Sequence, residues 1–365
     1  VNRGPVAEID LSALKHNLSI IRSIIAERTV IAVVKADAYG HGSVEISRNL
    51  LKDGISVLAV AFTGEARTLR AQGIGASIIV LFDRSDINDY FDYRLIPVIQ
   101  DRRTAEAFSK EARKRGEKIT VHIKVDTGMG RLGFDPSEAV TEALSISELE
   151  GIEVEGLLSH FSEADLSDRS YAVEQLKSFN SIRSSITARL GRPLLSHMAN
   201  SAAIFSFGDA LLDAVRPGLV LYGQSPFVER FGLAPVMTVK TKILTVRNVG
   251  KGAPISYGRT FITPRESRIA VIPVGYADGF SRLFSNNSEV LVKGRRAPVV
   301  GRVCMDLTML DVTDIENVSE EDEVVLLGRQ GGNEITAAEL SERIHTIPYD
   351  IVTSLGMRSR REYKN

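Results

Sequence analysis

A chain of 365 residues is long enough for more than one domain, and its 45 Lys+Arg against 46 Asp+Glu leave a net charge of −1, which excludes a global field that would recruit nucleic acid or an anionic membrane. The 44% hydrophobic and 25% charged content is that of a globular protein, and no apolar run reaches the roughly 20 residues that span a bilayer. The single cysteine, Cys304, excludes an internal disulfide, and with no apolar export segment in VNRGPVAEID the expected location is the cytoplasm.

From Asp10 to about Gly218 the chain alternates apolar, β-branched runs with amphipathic stretches. The runs TVIAVVK, ISVLAVAF, SIIVLF, IPVIQ, ITVHIKVD, VEGLLSH, LLSHMAN and DAVRPG read as strands. They are apolar almost throughout instead of alternating, as in a sheet covered on both faces. LSALKHNLSIIRSIIAER, GEARTLRAQG, TAEAFSKEARKRG and SYAVEQLKSFNSIRSSITARL read as helices between them. Eight such units in about 220 residues predict an α/β fold of the (β/α)8 TIM-barrel type, with a doubly wound sheet as the rival. After YGQSPF the texture turns β-rich, through MTVKTKILTVRNV, RIAVIPVGYA, EVLVKGRRAPVVGRV, LTMLDV and DEVVLLGR. There TAAELSERI is the one clear helix, with Thr336 as N-cap and Glu339 as its capping-box partner. The basic tail RSRREYKN reads as a solvated end. The expected domains are a barrel over 1–230 and a mostly β C-terminal domain over 231–365.

Barrels of this kind keep their chemistry just past the C-terminal ends of the strands. Those positions hold Lys35 and Tyr39 after the first strand, Lys124 and Arg131 at the fifth, His160 at the sixth, His197, Asn200 and Ser201 at the seventh, and Arg216 and Gly218 at the eighth. ANSAA opens a helix and RPGLVLYG sets a glycine after strand eight, an arrangement suited to a phosphate. A strand-end lysine facing a phosphate site suggests a phosphate-tethered aldehyde held on Lys35, because a desolvated ammonium loses its proton readily. A barrel isomerase or aldolase that binds a phosphosugar directly through Lys35 fits the same residues.

The motifs VVKADAYGHG, HIKVDTGMGRLG, HMANSAA, VRPGLVLYG, ISYGRTF, VGYADGFSR and GRVCMDL, in that order, resemble bacterial alanine racemases, which use pyridoxal 5′-phosphate. The likeness runs from AEIDLSALKHNL to the region of Tyr349; LFDRSDINDYFDYRL lacks the family's Gly-rich turn, and the usual aromatic before AEIDL is absent. The resemblance implies an isomerase that interconverts L- and D-alanine on a pyridoxal phosphate aldimine by two bases, supplying D-alanine for peptidoglycan. It implies that Lys35 carries the cofactor and serves as one base, and that Tyr257 is the other, contributed by a partner subunit in a homodimer with shared active sites. Arg216 would face the pyridine nitrogen with His160 behind it. Tyr39, Ser201, Gly218, Leu219 and Tyr349 would hold the phosphate, with Asn200 beside them. Arg131 would meet the cofactor's phenolic oxygen and border the substrate, Lys124 would be a carbamylated lysine that holds Arg131, and Met305 and Asp306 would border the substrate carboxylate from the partner. No metal, nucleic acid or membrane enters this reading. A broad-specificity, serine or lysine racemase of the same family is the alternative. A decarboxylase of the same fold would place a carboxylate where AVRPG supplies Arg216, and a cofactor carrier would lack the β domain.

Overall fold

Residues 4–224 and 228–365 are described in a computed structural model of the chain. The chain opens with strand β1 (Val6–Asp10) and the helix Leu11–Ile25. It then runs through β2 (Thr29–Val33), β3 (Val57–Val60), β4 (Ser77–Val80), β5 (Ile96–Ile99), β6 (Ile119–Lys124), β7 (Ile152–Leu158), β8 (Leu195–His197) and β9 (Ala214–Val215). These last eight close into a parallel barrel in sequence order, with β9 returning to β2. The eight apolar runs are therefore the eight barrel strands, and the closed barrel, not the doubly wound sheet, is the fold. Ile31, Leu58, Ile78, Val121 and Ile123 are wholly buried within it, each stabilising the fold by roughly 1.5–3 kcal/mol relative to exposure.

The helices between the strands begin and end where local chemistry dictates. Asp101 accepts from the Thr104 amide (2.8 Å) to start Arg102–Arg115, and Gly116, at φ 66°, ends it. Among the described residues no helix is long and apolar enough to cross a membrane.

The C-terminal part adds β10 (Met237–Lys242), β11 (Thr245–Val249), β12 (Pro254–Ile255), β13 (Phe261–Ile262), β14 (Ser267–Ile272), β15 (Glu289–Val292), β16 (Arg295–Pro298), β17 (Thr308–Asp311), β18 (Glu323–Gln330), β19 (Asn333–Ile335) and β20 (Arg360–Lys364). The largest sheet runs β16-β15-β18-β10-β1-β20, with β19 on β18, and β11-β14-β17 form a second. The capped helix is present at Ala337–Arg343, where Thr336 Oγ1 accepts from the Glu339 amide (3.0 Å).

One expectation needs correction here. The tail is not a solvated end: Arg360–Lys364 is β20, parallel to β1, and Lys364 pairs with Glu8. By packing, the chain forms two compact units whose pieces alternate along the sequence. One compact unit comprises Leu18–Ala36 and Ser43–Leu221; the other comprises Val1–Asn17, Asp37–Gly42 and Tyr222–Asn365. The reason is pairing: β1 lies between β10 (Val6↔Lys240) and β20 (Val6↔Arg360), so the N-terminal strand is a central strand of the later sheet. A second helix, Pro348–Arg358 with proline in its first turn, also escaped the sequence reading.

Candidate active site

In the barrel unit, Lys35 follows β2 directly and opens a turn that from Asp37 onward belongs to the other unit; Ala36, Asp37, Ala38 and Tyr39 all have φ between 49° and 54°. Left-handed helix costs L-residues roughly 1–2 kcal/mol apiece, so the turn must be held from outside. Glu65 holds its start, accepting from the Ala36 amide (2.5 Å) and, through its other oxygen, from Ala61 (2.7 Å).

The Phe82 ring lies beneath three cations: Lys35 Nζ at 5.4 Å, Arg131 at 5.5 Å and Lys124 Nζ at 5.6 Å from its centroid. Burial and the neighbouring Arg131 push the Lys35 pKa below that of an ordinary lysine. The same two causes, with Arg216 behind them, bring Lys124 down to about 8. Arg131 is set by the loop after β6. One oxygen of Asp126 accepts from the Gly128, Met129 and Gly130 amides (3.0, 2.7 and 3.1 Å) and the other from Arg131 N (2.6 Å). Gly133 closes that loop at φ 125°, where a Cβ would lie 2.7 Å from the Asp126 nitrogen.

Arg216, just past β9, is buried, and both terminal nitrogens of its guanidinium are engaged. Nη1 donates to the His197 carbonyl (2.7 Å) and to His197 Nδ1 (2.6 Å). Nη2 donates to the carbonyls of Ser159 (2.6 Å) and Met198 (3.2 Å) and reaches His160 Nδ1 (3.3 Å). Burial lowers the Arg216 pKa to about 10, leaving it charged at neutral pH. Burial, followed by the charge of Arg216, holds His160 and His197 well below the usual imidazole range, so both are neutral acceptors.

After β8, Asn200 caps the helix Ser201–Ser206 by accepting from the Ala203 amide (3.0 Å). Ser201 Oγ accepts from Gly218 N at 2.9 Å, so two groups expected to face a phosphate lie together, with Leu219 buried beside them in sequence.

The other unit carries the remaining expected residues. Tyr39 is buried, its ring 5.3 Å from that of Tyr222 and 5.9 Å from that of Tyr349. Tyr257 is 70% exposed on a turn whose neighbours Ser256, Gly258 and Arg259 all have positive φ (63°, 69° and 50°). The turn is tied down by Ser256 Oγ, which donates to the Arg302 carbonyl (2.7 Å). The segment beginning at Arg302 leads into Met305 and Asp306, both exposed.

Sequence reasoning missed Phe82 and His122. Phe82 ends the apolar run SIIVLF on a rim otherwise polar. His122 lies two residues before Lys124 on β6, hence on the same face, and its Nδ1 is 2.9 Å from His197 Nε2. That i, i+2 spacing was a signal that could have found it.

Chemically, Lys35, Lys124, Arg131 and Arg216 make a surplus of positive charge. The carboxylates whose charge acts on the two lysines, Glu65 on Lys35 and Asp126 on Lys124, are turned onto backbone amides. An amine with a depressed pKa, set among cations and an aromatic face, suits a planar anionic aldehyde. The residues present fit pyridoxal phosphate.

The chain is similar to known proteins along its whole length. Residues 9–226 match the family described as "Alanine racemase, N-terminal domain" and residues 236–363 "Alanine racemase, C-terminal domain". The alanine racemase of Thermodesulfovibrio yellowstonii is 51% identical over 363 residues, covering 98% of this chain and 97% of that one. The solved alanine racemase of Clostridium difficile superposes with a TM-score of 0.93 at 35% identity, over 100% of this chain and 96% of that one. The structure from Bartonella henselae, described with covalently bound pyridoxal phosphate, gives 0.89 at 32% identity over 99% of both chains.

Proposed function

The chain belongs to the alanine racemase family, a pyridoxal phosphate-dependent isomerase that interconverts L- and D-alanine, and from that premise we propose how its own residues divide the work. Pyridoxal phosphate, when bound, supplies the electron sink that makes an amino acid's α-proton acidic. Lys35 is the residue that carries it, and the observation behind this is the Lys35 amine, half-buried against the Phe82 ring beside the exposed Arg131 and depressed in pKa. A neutral amine is what both covalent attachment and proton abstraction require.

Inversion at one carbon requires a proton to leave one face and arrive at the other. Lys35 serves one face, and the exposed Tyr257, from the partner in a homodimer, serves the other. Arg216 donates toward the pyridine nitrogen. Because an arginine gives up no proton at neutral pH, it leaves that nitrogen largely unprotonated, a weaker sink than a carboxylate partner would create, and so limits side reactions. Tyr39, Ser201, Gly218, Leu219 and Tyr349, with Asn200 as cap, form the phosphate end. Arg131 orients the phenolic oxygen and the substrate, with Met305 and Asp306 at the carboxylate. Lys124, carbamylated, turns a repulsive neighbour of Arg131 into a partner. The cytoplasm and the supply of D-alanine for peptidoglycan complete the reading.

The test is direct. Purified protein incubated with L-alanine should yield D-alanine, and borohydride reduction should fix the cofactor on the peptide that contains Lys35. Cofactor fixed on Lys124, or no racemisation by cofactor-loaded protein, would overturn the assignment.

A further inference from the structure

We infer that Glu155 is a positioning residue, which through His122 and His197 fixes the direction in which Arg216 donates. The inference rests on the reading of Arg216 as the pyridine partner.

The first argument is the polarity of a hydrogen-bond chain. Arg216 can only donate, so His197 Nδ1, 2.6 Å from Nη1, must present a lone pair. The one proton of neutral His197 is then on Nε2, which faces His122 Nδ1 at 2.9 Å. His122 Nδ1 therefore accepts, and its proton is on Nε2, 3.3 Å from Glu155 Oε2. Glu155 is an acceptor-only carboxylate. With a pure donor at one end and a pure acceptor at the other, both imidazoles have a single consistent tautomer, and no proton is left over.

The second argument is construction. Along β6 and β7, Val121 pairs with Val154 but His122 pairs with Gly156, so Glu155 is the extra residue of a β-bulge. Bulges re-aim side chains, and this one brings a half-exposed carboxylate to a histidine that is 1% exposed. The next residue is glycine because a Cβ there would lie 2.4 Å from His122 Nδ1 and 2.5 Å from Cγ. Bulge and glycine together make the space in which the His122 ring lies.

The His122 hydrogen bond holds the Glu155 carboxyl below the usual range, so the acceptor end stays charged at neutral pH. Polarisation passes along such a chain, which makes His197 Nδ1 a stronger acceptor for Arg216 and fixes the guanidinium in one orientation.

The test uses cofactor-loaded enzyme with ¹⁵N-labelled histidine, together with Glu155→Ala and Glu155→Gln. His122 and His197 should both be protonated on Nε2 only. Glu155→Ala removes the acceptor and should lower kcat by about tenfold, the scale of lost outer hydrogen-bond partners at metal sites. KM for alanine should stay within about twofold, and the His122 and His197 nitrogen signals should shift. Glu155→Gln keeps an acceptor oxygen and should restore most of kcat, which also separates the effect from any loss of folding. Either histidine found protonated on Nδ1, Glu155→Ala with unchanged kcat and nitrogen signals, or Glu155→Gln as impaired as Glu155→Ala would overturn the relay. Wild-type protein that fails to racemise alanine would instead sink the functional reading on which it rests.

Discussion

Lys124 is surrounded by Arg131, Arg216 and Lys35, and burial with those charges brings its pKa to about 8. Near that pH about half of it is neutral amine, the form that adds carbon dioxide. Deprotonation increases upward through 8, so a ¹³C-bicarbonate carbamate signal should grow as pH rises from 6 to 9 and vanish in Lys124→Ala; a signal that stays flat, or survives the substitution, would refute the modification. The unmodified lysine binds its proton less tightly folded than unfolded, so its share of stability rises with pH between about 8 and 10.4. Most of the cationic side chains here were legible because each closes or follows an apolar run. Glu155 was not, since its meeting with His122 depends on a register shift between Val121 and His122 that no residue pattern announces. Nor does sequence spacing reveal that Phe82 lies under three cations that close or follow two other strands, β2 and β6.

The element with the least ordinary backbone is the turn Lys35–Tyr39. Besides Glu65 at its start, it is held by His41, whose Nδ1 donates to the Ala38 carbonyl (2.9 Å), and by Arg361, which pairs with Asp37 (2.7 Å) and donates to the Gly40 carbonyl (2.8 Å). If the left-handed backbone is strained, glycine should be tolerated there and not elsewhere. Ala107→Gly, within the right-handed helix Arg102–Arg115, should cost about 1 kcal/mol, whereas Ala36→Gly, at φ 49°, should be neutral or stabilising. Denaturant titration of the two variants decides it, and an equal loss in both would show the turn to be unstrained. The barrel strands were legible at this scale because burial on both faces leaves nothing to alternate. β1 and β20 were not: VAEID is short, and RREYK is charged enough to pass for a tail, although Lys364 and Lys240 both find Glu8. The left-handed turn itself leaves no mark in ADAY, a sequence equally at home in an ordinary helix.

Over the whole molecule, sequence texture separated a barrel from a β-rich part but not the pieces that cross over in contact, because pairing between residues 6 and 240 has no local signature. The proposed sharing of sites between subunits makes a counting prediction. Lys35→Ala and Tyr257→Ala proteins, each inactive, should regain activity when mixed and allowed to exchange subunits. About half the dimers would be mixed, each with one intact site, so about a quarter of wild-type sites should return under twofold symmetry. No recovery despite verified exchange would put Tyr257 to work beside the Lys35 of its own chain. The place of β1 between β10 and β20 bears on biosynthesis as well. During translation the barrel strands can find their neighbours as they leave the ribosome, but β1 must wait, first for β10 and finally for β20. A nascent chain halted before Arg360 would carry an open sheet edge along β1. Completion of that sheet is thus timed by the emergence of β20, and messages cut short ahead of Arg360 should yield chains that chaperones hold instead of release.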